Sequence, residues 1–184
     1  MIGAGESMTL EELIAGINAS TQHKTLYHFT DEANFPTIKK HGILSKERLR
    51  ALKLWPPAAT GGNELSQHLD LQRGIDPYVS LCLTRNHGMK FLAHKEGRLP
   101  NPRYLAIKPE VLRIPGTRVA LGVANANDVE ILPVDEAVNR LDYEVLYTRT
   151  DWRDPGINQR LRAAERFEVL IPTSVAPEMI IGVF

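Results

Sequence analysis

The sequence contains a single cysteine, carries no excess of either charge and has no long apolar run, and each shortage removes a class of function. Cys82 alone forms no internal disulfide and builds no thiolate zinc site, so a reducing compartment, the cytoplasm, is expected. Lysine plus arginine number 22 and aspartate plus glutamate 22, a formal net charge of zero. A general polyanion binder would be basic overall, so any nucleic-acid site must be local. No apolar stretch approaches the roughly 20 residues of a membrane helix, and Met1 to Met8 lack the regions of a signal peptide, so no membrane association is expected. GxSxG, HExxH, Walker and CxxC patterns are also missing, which removes the parts for the commonest hydrolase, zinc-peptidase and phosphate-loop mechanisms. Gly3-Ala-Gly5 has neither a preceding strand nor a third glycine and is no dinucleotide fingerprint. The histidines at 23, 28, 41, 68, 87 and 94 show no compact ligand spacing, so no metal is expected.

What remains is an ordinary globular make-up. The 184 residues are 43% hydrophobic and 24% charged, which predicts one domain over residues 1–184, with 1–8 as a flexible N-terminus. Thr9 and Glu12 have capping-box spacing, and Leu10, Leu13, Ile14 and Ile17 follow one helical face. Thr25 to Thr30 reads as a strand, and a helix from about Asn34 stops at Gly42. Ser45 is placed to cap a short helix through Leu54. Trp55 to Pro77 reads as a long loop with a short helical piece, and long loops in compact domains are more often functional than idle. Further strands are expected at Tyr78–Thr84, Arg103–Lys108, Arg118–Val123, Tyr143–Thr148, Phe167–Ile171 and Met179–Phe184. Helical pieces are expected between His87 and His94, between Asp135 and Leu141, and around Asn158 to Arg166. The mixture predicts an α+β fold.

Two segments stand out, LYHFT with its following HGIL, and AAERFEVLIP with SVAPEMIIG. His28 at a strand end offers two ring nitrogens to a ribose hydroxyl or carbonyl, and Gly42 permits close backbone approach; the plainer reading is a satisfied, half-buried histidine beside a capping glycine. Glu168 lies between Phe167 and Val169-Leu170-Ile171, where a carboxylate is costly unless paired or used; the plainer reading turns it to solvent from an edge strand.

The resemblance is distributed over Leu26-Tyr27-His28-Phe29-Thr30, Ile38 through His41-Gly42-Ile43-Leu44-Ser45, and Tyr78-Val79 with Met89 downstream. It continues through Ala124-Asn125-Ala126, Leu141-Asp142-Tyr143 leading to Trp152, and Phe167-Glu168-Val169-Leu170-Ile171 with Val175, Pro177, Glu178 and Ile180. In this order and spacing the chain resembles the DarT family of bacterial toxins, NAD-dependent ADP-ribosyltransferases that act on bases of single-stranded DNA. YHFT is similar to the His-bearing first motif of other ADP-ribosyltransferases. The resemblance implies an ADP-ribosyltransferase fold of split mixed or antiparallel sheets flanked by helices. It makes Glu168 the catalytic carboxylate and places NAD, as co-substrate, against His28, Thr30 and Gly42. Arg73 is the candidate for the family's arginine before the Tyr-Val strand. Tyr78 is a candidate to stack on nicotinamide or a core aromatic. The family's thymine-modifying branch is arginine-rich where this chain has Gly61-Gly62-Asn63-Glu64, which points to the guanine-modifying branch. A partner that removes the mark, an antitoxin with ADP-ribosyl-DNA hydrolase activity, is implied as well.

For DNA, Arg149, Trp152, Arg153, Arg160, Arg162 and Arg166 cluster just before Glu168, with the indole as a stacking face or a core residue. Lys39, Lys40, Lys46, Arg48, Arg50 and Lys53 read as a solvated helix face. Rival readings keep the fold with RNA or protein as acceptor, or make the chain a catalytically silent binding module.

Overall fold

A computed structural model describes residues 7–56 and 64–184, with side chains from residue 67 onward in the second segment. Thr9 begins the first helix, α1 (Leu10–Ala19): its hydroxyl accepts from the Glu12 amide at 3.2 Å, and the Glu12 carboxylate accepts from the Thr9 amide at 2.7 Å. Leu13, Ile14 and Ile17 on its apolar stripe are buried. The chain then forms β1 (Leu26–Asp31), α2 (Phe35–His41), β2 (Ile43–Leu44), α3 (Lys46–Ala51) and α4 (Glu64–Gln72). β3 (Tyr78–Cys82), α5 (Gly88–Lys95), β4 (Pro102–Ile107), β5 (Arg118–Ala120), β6 (Ile131–Pro133), α6 (Val134–Ala137) and α7 (Tyr143–Tyr147) follow. The chain closes with α8 (Pro155–Ala164), β7 (Glu168–Pro172), β8 (Ser174–Val175) and β9 (Ile180–Val183).

Seven strands form one sheet in the order β6-β5-β7-β3-β1-β4-β9, and β2 pairs with β8 in a second, two-stranded sheet. All described pairings are antiparallel. One face carries Val79, Leu81, Val119, Val169 and Ile171, which pack with the α1 stripe, Leu26, Leu105 and Ile107 into the main core. The opposite face carries Leu170 and Ala120 with Ile75 and Ala124. Beside them Tyr27, Cys82 and Tyr104 form a small cluster. Burial on both faces explains the near-continuous apolar runs of β3 and β7. No helix among the described residues is long and apolar enough to cross a membrane.

Several sequence expectations are corrected. Tyr143–Thr148 is not a strand: the Asp142 carboxylate accepts from the Val145 amide and starts α7, and Tyr143 and Tyr147 meet one turn apart with ring centroids at 5.3 Å. Aromatic and β-branched composition suits a strand, and the cap with the four-residue spacing overrides it. The helical piece expected in the loop before β3 is present as the nine-residue α4. β5 ends at Ala120, and the short strands β2, β6 and β8 escape notice because two or three residues show no periodicity. Residues 1–6 of the expected N-terminal segment, and Gly61-Gly62-Asn63, lie outside the described residues.

Gly42 ends α2 with φ +76°, its amide donating to the Ile38 carbonyl at 2.8 Å. A Cβ there would overlap the Val175 carbonyl of β8. Gly42→Ala should therefore cost at least about 2 kcal/mol from the left-handed backbone and the displaced strand, read as a lower urea midpoint.

Candidate active site

The main sheet is weakest between its halves. β1 pairs with β4 along its length and β3 with β7 along its length, yet β1 and β3 pair only at Tyr27 and Cys82. Beside that junction the sheet opens into a cleft lined from one side by His28, Thr30, Asn34 and Gly42, and from the other by Tyr78, Ser80 and Glu168. A side chain spans the gap: His28 Nδ1 lies 3.0 Å from the Ser80 carbonyl oxygen. A carbonyl only accepts, so Nδ1 carries the proton, and in the neutral ring Nε2 is the acceptor. Burial lowers the His28 pKa, which keeps the ring neutral.

Glu168 opens β7 and stands opposite Cys82 of β3 and Ala120 of β5. It is in the middle of the sheet, not on an edge, and only 8% exposed. Its carboxyl accepts from the Ser80 hydroxyl and the Ala124 amide, which favours the ionised form. Desolvation outweighs both and, with the Asp70 charge nearby, pushes the pKa up to about 7. Near neutral pH this group is both an available base and an available acid.

The cleft holds charged and polar groups that the sequence reading passed over. Lys46, expected on a solvated face, instead lines the cleft and forms an ion pair with Asp70, whose second oxygen accepts from Asn125 Nδ2 at 3.0 Å. Only Asn125 fell within a motif quoted above. Ser80 is exposed in the middle of a central strand, and a serine within YVSLCLT is the signal that could have found it. His87, just before α5, lines the cleft with Nε2 3.5 Å from Glu168 Oε1. Burial lowers its pKa to about 4, so this is a neutral contact and no salt bridge.

The predicted cofactor residues come together: His28, Thr30, Gly42 and Tyr78 line the same cleft as Glu168. The buried Thr30 hydroxyl accepts from Asn34 Nδ2 at 3.1 Å. Arg73 does not join them. Its guanidinium donates to the backbone carbonyls of Ala126 and, at 2.9 Å, Val129. It braces the loop whose Ala124 amide bonds Glu168.

The predicted nucleic-acid residues divide. Arg160 is held by Asp142 and Glu144 at 2.7 Å, and Arg153 by Asp151 at 3.0 Å. Arg149 is exposed, and Trp152, 64% exposed, is no core residue. Trp152, Arg162 and Arg166 share a shallow groove on α8 with Asn86 and Gly88, the residues on either side of His87. Among the described residues no group of three or more His, Cys, Asp or Glu is placed to hold a metal.

Comparison with known proteins bears on this arrangement. The family model described as "DarT: ssDNA thymidine ADP-ribosyltransferase, DarT" matches residues 27–184. Among solved structures, Thermosipho africanus DarTG in complex with ADP-ribose superimposes with a TM-score of 0.63 at 17% identity, covering 86% of this chain and 43% of that one. Thermus sp. 2.9 DarT in complex with ADP-ribosylated single-stranded DNA gives 0.60 at 16% identity, covering 86% and 79%. The same Thermus protein with NAD+ gives 0.57 at 16% identity, again covering 86% and 79%. The fold is thus that of these ADP-ribosyltransferases, and this chain spans less than half of the Thermosipho chain. No curated protein matches the sequence.

The raised Glu168 pKa makes a stability prediction. The native state binds more protons than the unfolded chain between the ordinary value of 4.5 and about 7. The contribution of this group is therefore fully present below that window and lost as pH rises through it, by at most about 3 kcal/mol. Urea unfolding should show Glu168→Gln gaining stability relative to wild type between pH 5 and pH 8.

Proposed function

Because the chain belongs to the DarT family, we propose that its cleft takes NAD as co-substrate and transfers the ADP-ribosyl group to a guanine or thymine base of single-stranded DNA. The observation that carries this reading is Glu168, buried in the central strand of a cleft that His28 also lines. Cleavage of the bond between nicotinamide and ribose sends its electron pair to the nicotinamide nitrogen and leaves oxocarbenium-like positive charge on the sugar. The Glu168 carboxylate, held by Ser80 and Ala124, stabilises that charge in a site of low dielectric. The base nitrogen that attacks the anomeric carbon loses a proton, and Glu168 accepts it. No covalent enzyme intermediate is needed.

His28 Nε2 accepts from a ribose hydroxyl, Gly42 lets the backbone approach the dinucleotide, and Tyr78 presents its ring to nicotinamide. Lys46, paired with Asp70, is the cation lining the cleft among the described residues, and it meets the pyrophosphate by sharing its charge between the two. Arg73 acts through the Ala124–Ala126 loop as a positioning residue. The DNA strand runs along the α8 groove, where Trp152 stacks on an unpaired base and Arg162 and Arg166 meet phosphates, with the exposed Arg149 a further phosphate contact. Arg153 and Arg160 contribute less because carboxylates already hold them.

In this reading residues 1–184 form one transferase unit acting in the cytoplasm as a toxin, kept in check by an antitoxin that hydrolyses the ADP-ribosyl mark from DNA. Guanine is the base favoured by the Gly61-Gly62-Asn63-Glu64 stretch, and thymine the one in the family description.

Mass spectrometry of short single-stranded oligonucleotides, each rich in one base, tests the reading after incubation with NAD and protein. One ADP-ribose should be added to the guanine- or thymine-rich oligomer. Glu168→Ala should abolish the addition, and Arg73→Ala should slow it roughly tenfold through loss of the carboxylate's amide partner. Unmodified DNA beside modified RNA or protein would replace the acceptor. Absence of nicotinamide release, whatever stands at 168, would make the chain a binding module.

A further inference from the structure

His87 has no part in the reading above, yet it stands beside the carboxyl on which that reading rests. It is 4% exposed and enclosed from several elements: Phe29 of β1 stacks on it at 6.1 Å, and the Tyr104 hydroxyl of β4 accepts from its backbone amide at 3.1 Å. Its Nε2 stands 3.5 Å from Glu168 Oε1, and neither ring nitrogen has a hydrogen bond of ordinary distance and angle among the described residues. The Arg166 backbone carbonyl also acts on the ring as an acceptor. With the single N–H of the neutral ring on Nδ1, Nε2 turns its lone pair to Glu168. Two buried polar atoms left just short of a bond are costly, and the cost vanishes when one of them gains a proton.

We infer that His87 is a positioning residue that holds the protonated form of Glu168, its Nε2 accepting the carboxyl O–H after Glu168 has taken the proton of the attacking base. The inference rests on the transferase reading for the source of that proton. The balance is simple: the base N–H bond breaks, the Glu168 O–H bond forms, and the new hydroxyl donates to an imidazole that stays neutral. The other groups around Glu168 do different work. Ser80 and the Ala124 amide donate to the ionised carboxylate, and the Lys46 charge also favours that form. The Asp70 charge opposes ionisation, and Cys82 across the ladder is a thiol that burial keeps protonated. Among the described residues His87 presents a ring nitrogen to the acid form at 3.5 Å, and the Ser80 hydroxyl, the donor to the carboxylate, is the other group able to turn and accept.

Nitrogen-15 NMR of the histidine rings in the wild-type protein, without NAD or DNA, tests this directly. His87 Nε2 should resonate as an unprotonated, pyridine-type nitrogen at pH 8 and shift on acceptance of a hydrogen bond as Glu168 protonates near neutral pH. That shift should vanish in Glu168→Gln. A protonated, pyrrole-type Nε2, or a resonance that moves only with the ring's own titration, overturns the inference. In turnover, His87→Leu should lower kcat roughly tenfold and leave KM for NAD within twofold; an unchanged kcat equally overturns it. A protein that transfers nothing to any acceptor refutes the transferase reading, while the NMR result still decides whether His87 accepts from Glu168.

Discussion

The structure is organised around the desolvation of one carboxyl group. Placing Glu168 at the start of the central strand β7 removes it from water on two sides, because β3 and β5 flank it in the ladder. An apolar residue there would pack more cheaply. The surroundings carry the compensation: a serine in the middle of β3, a backbone amide from the Ala124–Ala126 loop, and a lysine within electrostatic reach. The same residues shape the cleft. Ser80 offers its hydroxyl to Glu168 and its carbonyl to His28, so one residue of β3 fixes both side chains. Arg73 belongs to this arrangement at one remove, since it holds by two carbonyls the loop that supplies the amide.

Charge shows a second pattern. Many of the balanced charges stand in opposed pairs placed close together: Arg160 with Asp142 and Glu144, Arg113 with Glu11, Arg103 with Glu32 and Arg50 with Asp76. Most of these are exposed and contribute little stability each. Their effect is to quiet much of the surface. Trp152, Arg162 and Arg166 are gathered instead in one groove with Asn86 and Gly88, where Glu165 is the opposing charge and accepts from Asn86. A local excess of positive charge along one groove serves a polyanion with less attachment to other anionic surfaces than a basic whole would have.

How legible this was differs by residue. Glu168 and His28 were readable because each violates its local context, a carboxylate within an apolar run and a histidine ending an aromatic strand. The Thr9 capping box and the Gly42 stop were readable because caps are local chemistry. Tyr143–Tyr147 was misread because composition and cap disagreed, and the cap decides where the chain turns. Lys46, Asp70, Ser80 and His87 meet around Glu168 from four separate segments, and nothing in their spacing announces the meeting. Arg73 shows the converse case. Its position in the chain fits a substrate contact, but the neighbouring loop offers two carbonyls that bind a guanidinium first.

The single rung between β1 and β3 has a mechanical meaning. A sheet resists bending through its ladder, and here nearly all of that resistance lies within each half. At the seam the backbone contributes one paired position, and side chains supply the rest: the His28 bridge to Ser80, and the Arg85 guanidinium, which follows β3 and reaches over the rings of Tyr27 and, at 4.2 Å, Phe184 on the other half. The compliance of the molecule is thus concentrated along the line where a dinucleotide would lie, and a ligand gripping both halves replaces the missing rungs with its own contacts.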